Sequence, residues 1–147
     1  MSQLAAKPIL DVAVGLLCNA QGQIFVATRQ AGSLYAGLTE FPGGKCEPGE
    51  SVYAALVREL REEIGVEVLS AAPLLTTWFH EQAVLVRLHF WLLGAYRGEP
   101  QGREGQTTWF MDIADLATAT FPPANRPLIE YLLARETLFA EFSLDAV

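Results

Sequence analysis

The chain has 147 residues, 51% of them hydrophobic and 18% charged, so it is long and apolar enough to form one domain with its own core. Its formal net charge is −7 and its Lys and Arg residues form no cluster, which argues against polymeric nucleic acid or an anionic membrane as a partner. Because it has neither a signal-peptide pattern nor a membrane-spanning apolar stretch, we expect a cytoplasmic protein in which Cys18 and Cys46 are free thiols.

The first part of the chain predicts β-strands. Residues 10–18 are rich in Val and Leu, residues 19–22 are typical of a turn, and residues 23–29 form a second apolar run, so we expect a β-hairpin. Alternation in the second run predicts one face that is buried, with Ile24, Val26 and Thr28, and one that is not, with Phe25, Ala27 and Arg29. Residues 38–41 predict a further short strand.

Residues 44–66 combine a loop rich in Gly and Pro with a predicted helix. Ser51 can cap the start of this helix, and Gly65 supplies its stop. Apolar side chains recur at helical spacing and predict a stripe that faces the core, formed by Tyr53, Leu56, Val57, Leu60 and Ile64. The acidic residues of the helix are expected to lie off this stripe.

Acidic side chains are crowded in the same stretch. Glu59, Glu62 and Glu63 stand at i, i+3 and i+4, which places their carboxylates side by side on one helix face. Like charges at this spacing repel, so the arrangement favours a cation among them, and Mg²⁺ or Mn²⁺ prefers such oxygen ligands. The alternative is a solvated acidic face without a ligand.

The rest of the chain predicts a second hairpin and a second helix. Two apolar runs, 67–79 and 84–93, flank a short polar connection, and a glycine-rich loop covers residues 96–106 before an extended segment. One turn of helix is expected at residues 112–116, and prolines exclude regular helix at 121–125. The following helix has an apolar side of Leu128, Ile129, Leu132 and Leu133, with Leu138 or Phe139 near its end. The expected fold class is α/β, in the broad sense that includes α+β.

Gly44, Glu50 and residues 58–66, RELREEIGV, together resemble the Nudix box at each of its defined positions. Three further stretches extend the likeness toward the MutT-like members of the family, which sanitise oxidised guanine nucleotides: residues 40–45, residues 98–100 with 104–106, and residues 121–127. The resemblance covers most of residues 14–133. It implies a single Nudix hydrolase domain over residues 1–147, folded as an α/β/α sandwich with a mixed sheet between helices.

The resemblance also implies a role for each matching residue. The metal ligands would be the Gly43 carbonyl and the carboxylates of Glu59, Glu62, Glu63 and Glu104. Glu50 would be an additional catalytic carboxylate, and Arg58 would orient the carboxylates through charge-assisted hydrogen bonds. Glu59 is the first candidate to accept a proton from water, with Glu50 and Glu104 left open.

Substrate contacts follow from the same likeness. Asn125 would read the purine edge, Glu40 and Phe41 would lie along the base, and Arg29 would reach the phosphates. The alternatives without a role in substrate or metal binding are a helix N-cap for Asn125, a surface arginine for Arg29 and a solvated loop residue for Glu104. A basic residue is expected at the second hairpin turn to meet phosphate, but residues 82–84 offer none, and only His80 or Arg87 lies near.

The implied activity is Mg²⁺-dependent hydrolysis of a nucleoside triphosphate, 8-oxo-dGTP first among them, to the monophosphate and pyrophosphate. Such an enzyme keeps an oxidised nucleotide out of DNA. Two alternatives stay open: the same chemistry on another nucleotide, such as dATP, CTP or a dinucleoside polyphosphate, and a nucleotide sensor without hydrolysis. The sequence assigns no oligomeric state.

Overall fold

A computed structural model describes residues 7–33 and 35–135. Within them lie seven strands and two α-helices, with 3-10 turns at Ile113–Ala117 and Pro123–Asn125. The strands are β1 (Ile9–Leu16), β2 (Ile24–Thr28), β3 (Thr39–Glu40), β4 (Gly43–Lys45), β5 (Glu67–Glu81), β6 (Val84–Arg97) and β7 (Thr108–Met111), and the helices are α1 (Val52–Ile64) and α2 (Arg126–Ala134). The predicted helix end near Leu138 or Phe139 lies outside the described residues. Neither described helix is long and apolar enough to cross a membrane.

The strands form two sheets. The larger is mixed, with the order β4-β1-β6-β5, and β1 runs parallel to β6 and antiparallel to β4. The smaller is antiparallel, with the order β3-β2-β7. One core lies between the larger sheet and α1, and a second lies on the opposite face of that sheet and includes Leu128 and Leu132 of α2. The α/β/α sandwich with a mixed sheet is therefore confirmed, although a second sheet accompanies it.

The first predicted hairpin forms only at its turn, and the predicted pairing of its two strands is wrong beyond that point. Gly22 N–H donates to the Asn19 carbonyl at 3.0 Å, and pairing continues to a single bridge between Cys18 and Ile24. The strands then separate, because both edges of β1 are occupied by β4 and β6. β2 consequently joins the smaller sheet.

The expected exposed face of β2 is also wrong. Phe25 and Ala27 are as buried as Ile24 and Val26. Ile24 and Val26 belong to the core that includes α2, whereas Phe25 belongs to the core beneath α1 and meets Phe110 edge to face at 5.3 Å. Alternation in β2 therefore separates two cores instead of separating core from solvent.

Helix α1 begins and ends as predicted. The Ser51 side chain accepts a hydrogen bond from Ala54 N–H at 3.1 Å, and Gly65 adopts the left-handed φ of 73° that closes the helix. Two expectations about its faces are wrong. Tyr53 is 38% exposed and only tilts against Trp91, while Glu63, expected off the apolar stripe, is buried.

Among the remaining elements, the second hairpin and the turn before α2 match their predictions, but two loop bounds are wrong. Gly44 and Lys45, expected in a loop, belong to β4 because they pair with β1, and β6 continues through Arg97 into residues expected to be loop. β5 and β6 form the second hairpin, with Gln82 in its turn, and residues 98–107 form the loop before β7. The 3-10 turn Pro123–Asn125 precedes α2, as its prolines require. The second hairpin and this turn both supply residues that line the cleft described next.

Candidate active site

A cleft of about 570 Å³ opens on the face of the larger sheet that is turned away from α1. Its floor is apolar and is formed by side chains of β1 and β6, namely Leu10, Val12, Val14, Val86 and Leu88. Its walls are more polar and come from the loop after β2, from β4, from the end of β5 and from the turn Pro122–Asn125. An apolar floor with a few polar groups around it suits a planar ligand with hydrogen-bonding edges.

Arg58 organises acidic residues of α1 and of the loop that precedes it. Its Nε and Nη2 donate to the two Glu50 carboxylate oxygens at 2.8 and 2.9 Å, and its Nη1 donates to Glu59 Oε1 at 2.7 Å and to Glu62 Oε1 at 3.3 Å. The Arg58 hydrogen bonds, with a further one from Glu47 N–H, lower the pKa of Glu50 to about 2. The glutamates in turn raise the pKa of Arg58. Arg58 is thus hydrogen-bonded to three carboxylates, and its role in orienting them for catalysis stays a prediction.

Glu59 lies against the backbone of the loop because residue 44 has no side chain. A Cβ on Gly44 would lie 2.2 Å from Glu59 Oε2, well inside van der Waals contact. The next glycine is equally constrained, since a Cβ on Gly43 would lie 2.0 Å from the Ala13 carbonyl oxygen. These two glycines therefore let α1, β4 and β1 approach one another closely enough to put Glu59 beside the cleft.

Glu63 is 8% exposed, and its Oε2 accepts a hydrogen bond of 3.3 Å from Gly43 N–H. Burial raises the pKa of Glu63 to about 8, and the negative charges of Glu40, Glu104 and Glu59 act in the same direction. The Gly43 hydrogen bond opposes them only in part. This carboxylate is therefore buried without enough positive charge to balance it.

Glu104 reaches the same region because its loop is fastened to the end of α1. Arg103 N–H donates to the Glu63 carbonyl at 3.0 Å, and Gln101 N–H donates to the Ile64 carbonyl at 3.1 Å. The Gln30 side-chain amide also donates to the Glu104 carbonyl. The charge of Glu104 is consequently near enough to raise the pKa values of both Glu63 and Glu40.

The predicted metal ligands are thus neighbours, but they do not form a ready-made cage. Nowhere in residues 7–33 and 35–135 do three His, Cys, Asp or Glu side chains come close enough to form a metal cluster. Two features account for this. Arg58 draws Glu59 and Glu62 toward itself, and the Glu62 side chain is 57% exposed.

The predicted substrate residues all line the cleft. Phe41 stacks on Phe121 with ring centroids 4.9 Å apart. Arg29 Nη1 donates to Glu40 Oε1 at 3.0 Å, so Arg29, expected to reach phosphate, is held by a carboxylate. Burial raises the pKa of Glu40, and Arg29 partly offsets this.

Asn125 is 9% exposed, and its Nδ2 donates to the Pro122 carbonyl at 3.3 Å. Although Asn125 stands immediately before α2, its side chain makes no capping hydrogen bond to that helix. Asn125 therefore holds the N-cap position of α2 but does not cap the helix with its side chain. The amide instead lines the cleft at the end formed by the 3-10 turn.

Sequence reasoning missed several residues of the cleft wall, namely Ser33, Tyr35, Lys45, Phe79 and Glu81, and assigned His80 no role. Lys45 could have been found from its place after the glycine pair. The cation expected near the second hairpin turn comes from Lys7, whose Nζ lies 3.0 Å from His80 Nδ1 and 3.4 Å from the Gln82 carbonyl. Arg87, the other candidate, is bound to Asp11 at 2.6 and 2.9 Å.

Residues 8–132 match the model of the NUDIX domain family. The chain is 41% identical over 127 residues to an 8-oxo-dGTP diphosphatase of Haemophilus influenzae, an alignment that covers 86% of this chain and 93% of that protein. It is 36% identical over 121 residues to a CTP pyrophosphohydrolase of Escherichia coli, with 82% of this chain and 90% of that protein covered.

Solved structures agree with this match. A MutT structure, from work on Aliivibrio salmonicida and Vibrio cholerae, superposes with a TM-score of 0.76 at 38% sequence identity, covering 86% of this chain and 98% of that one. The family match extends over most of the chain and includes the loop, the helix and the acidic residues just described. The chain therefore belongs to the Nudix hydrolase family.

Proposed function

We propose that this protein is a Mg²⁺-dependent pyrophosphohydrolase of nucleoside triphosphates and that its substrate is 8-oxo-dGTP, which it converts to the monophosphate and pyrophosphate. The observation that supports this most strongly is the junction at Gly43 and Gly44. Both glycines line the cleft with the apolar floor, and the Gly43 N–H donates to the buried, incompletely balanced Glu63 carboxylate. The relative from Haemophilus influenzae, named for this activity, supports the choice of substrate.

Nudix hydrolases generally use divalent metal ions, and the residues of this chain fit one. The candidate ligands are all oxygen donors, which suits Mg²⁺ and permits Mn²⁺: the Gly43 carbonyl and the carboxylates of Glu59, Glu62, Glu63 and Glu104. The raised pKa of Glu63 indicates that positive charge is lacking there. When bound, the ion would neutralise phosphate oxygens and lower the pKa of the attacking water.

Among the carboxylates, Glu59 is the residue we assign to accept the proton of water. Its placement against Gly44 puts it between the helix and the cleft. Glu50 is a weaker candidate, because a pKa of about 2 makes its carboxylate a poor base near neutral pH. Arg58 orients Glu59 through the 2.7 Å hydrogen bond. Glu104 remains a second candidate.

At the other end of the cleft, Asn125 would read the base and Phe41 would support it. An amide offers both a donor and an acceptor to the edge of a purine. Arg29 would contact the phosphates and would also hold Glu40 in place through their hydrogen bond. In this proposal the protein works in the cytoplasm on a free nucleotide and protects DNA replication from oxidised guanine.

A second candidate keeps the chemistry and changes the base. The relative from Escherichia coli is named for CTP, and its alignment also covers most of this chain. Substrate profiling distinguishes the two.

The test is hydrolysis of a panel that includes 8-oxo-dGTP, dGTP, dATP and CTP, with and without Mg²⁺, in ¹⁸O-labelled water. We expect 8-oxo-dGTP to have the highest kcat/KM, no turnover without metal, and label in one product only. Glu59→Gln should lower kcat by about a hundredfold or more while the protein stays folded. Near-normal turnover of Glu59→Gln would contradict its assigned role, and higher kcat/KM for CTP would favour the second candidate.

Asn125→Ala tests base recognition. The preference for 8-oxo-dGTP over CTP should fall about tenfold or more, because a bidentate base contact is lost. The free energy of unfolding should change by about 1 kcal/mol or less, since only the hydrogen bond to Pro122 is removed. Unchanged selectivity in steady-state kinetics would show that Asn125 does not read the base.

Gly44→Ala tests whether the glycine keeps Glu59 in place. The new methyl group must displace the Glu59 carboxylate, so kcat should fall about a hundredfold. Stability should change little, because the displaced atoms are the end of a flexible side chain. Gly49→Ala is the control for an added methyl group in the same loop, since a Cβ there meets nothing within 4 Å and should leave kcat unchanged. Its φ of 78° strains an alanine, so the free energy of unfolding of this control should fall by about 1 kcal/mol. Equal effects of the two substitutions on kcat would contradict the role of Gly44.

Glu63→Gln tests the buried charge by its pH dependence. A carboxyl whose pKa is raised on folding destabilises the native state as pH rises from its ordinary value to about 8. The metal-free variant should therefore gain stability over the wild type at pH 8, by about 2–4 kcal/mol, and gain little near pH 4. Mg²⁺ should raise the Tm of the wild type more than that of the variant. A variant that is less stable than the metal-free wild type at pH 8 would refute this account.

A further inference from the structure

Tyr35 stands in the wall of the cleft in a backbone conformation that residues with a side chain rarely adopt. Its φ is 63°, in the left-handed region, and its side chain is 42% exposed. A bulky residue in this region is unfavourable unless the surroundings enforce it. The conformation therefore indicates a constraint on where the ring is held.

Hydrogen bonds of the loop supply that constraint. Leu38 N–H donates to the Tyr35 carbonyl at 3.1 Å, and Gly37 N–H donates to the Arg29 carbonyl at 3.1 Å, which returns the loop to β2. The Gln30 side chain fastens the start of the loop to the Glu104 carbonyl. The loop thus holds Tyr35 at the cleft by contacts on both sides.

The Tyr35 ring belongs to the wall of a cleft that has an apolar floor. The floor of the cleft is apolar, and the residues that line it include Val12, Val86 and Leu88. Among the described residues no aromatic ring stacks on Tyr35, in contrast to Phe41, which stacks on Phe121. A flat ligand above the apolar floor would leave its other face available to an aromatic ring.

We propose that the Tyr35 ring stacks on the nucleobase and favours purines over pyrimidines, an inference that rests on the proposed function. A purine offers a larger π-face than a pyrimidine, so a stacking residue contributes more to its binding. Asn125 then reads the edge of the base while Tyr35 covers its face. The phenolic oxygen has no part in this contact.

Two matched substitutions test the stacking. Tyr35→Leu removes the π-face in the cleft, while Tyr53→Leu makes the same change at an exposed tyrosine, 38% exposed, that does not line the cleft. In the full chain with Mg²⁺, Tyr35→Leu should raise KM for 8-oxo-dGTP about tenfold and KM for CTP about threefold or less, with kcat within about twofold. Tyr53→Leu should leave both KM values unchanged. Tyr35→Phe should keep the wild-type KM, and a rise would mean that the hydroxyl and not the ring makes the contact, which overturns the proposal.

Tyr35→Gly separates a binding role from a structural one. Glycine adopts positive φ without strain, so this variant should have a higher Tm than the wild type without nucleotide, yet bind purine nucleotide more weakly. A lower Tm together with unchanged KM would show that Tyr35 only supports the loop and would overturn the proposal.

Direct binding distinguishes failure of this inference from failure of the proposed function. Calorimetric titration of the wild type and Tyr35→Leu with 8-oxo-dGMP and with CMP needs no hydrolysis. If the wild type hydrolyses no triphosphate but binds 8-oxo-dGMP about tenfold more tightly than Tyr35→Leu does, the stacking role holds and the proposed activity fails. If the wild type is active and both proteins bind 8-oxo-dGMP equally, the activity holds and the stacking role fails. If the wild type hydrolyses no triphosphate and binds neither nucleotide, both fail.

Discussion

Negative charge gathered at one edge of the sheet is the constraint on which the rest of the site depends. Arg58 forms hydrogen bonds to Glu50, Glu59 and Glu62, but Glu63 turns inward and accepts a hydrogen bond from the N–H of Gly43. A single guanidinium cannot balance so many carboxylates in a half-enclosed place, where their mutual repulsion is only partly screened. The folded chain therefore retains an excess of negative charge where a nucleotide would bring its phosphates. This excess of negative charge is the physical reason to expect a cation between the carboxylates and the phosphates.

Three glycines, which have no side chain, make this arrangement possible. A Cβ on Gly15 would lie 2.8 Å from Leu60 Cδ1, and Gly43 and Gly44 have still less room. With only hydrogen at these positions, α1 lies close to β1 and β4. The helix can then bury its apolar side chains on one face of the sheet and still place the Glu59 carboxylate against Gly44, which lines the cleft. Packing and chemistry are thus served by the same glycines.

The cleft joins segments that are far apart in the sequence. Its floor comes from β1 and β6, which pair in parallel, and its walls come from the loop after β2 and from the turn before α2. The hydrogen bond from Gln30 to the Glu104 carbonyl connects the loop that holds Tyr35 with the loop that holds a candidate ligand. The two loops are therefore linked by a hydrogen bond from a side chain to the backbone.

The sequence by itself determined the local features: the caps of α1, the second hairpin, the irregular turn before α2, and the acidic i, i+3, i+4 pattern with its likeness to the Nudix box. These depend on spacing within a few residues, which the sequence states directly. Only the tertiary structure decided which strands pair, which glutamate is buried and which residues face the cleft. β1 pairs with β4 and β6 instead of β2, and β2 is buried on both faces as a result. The approach of Lys7 to the second hairpin turn and the burial of Glu63 also depend on contacts between distant segments. Periodicity cannot predict these features, because it shows which side of an element is apolar but not what will cover that side.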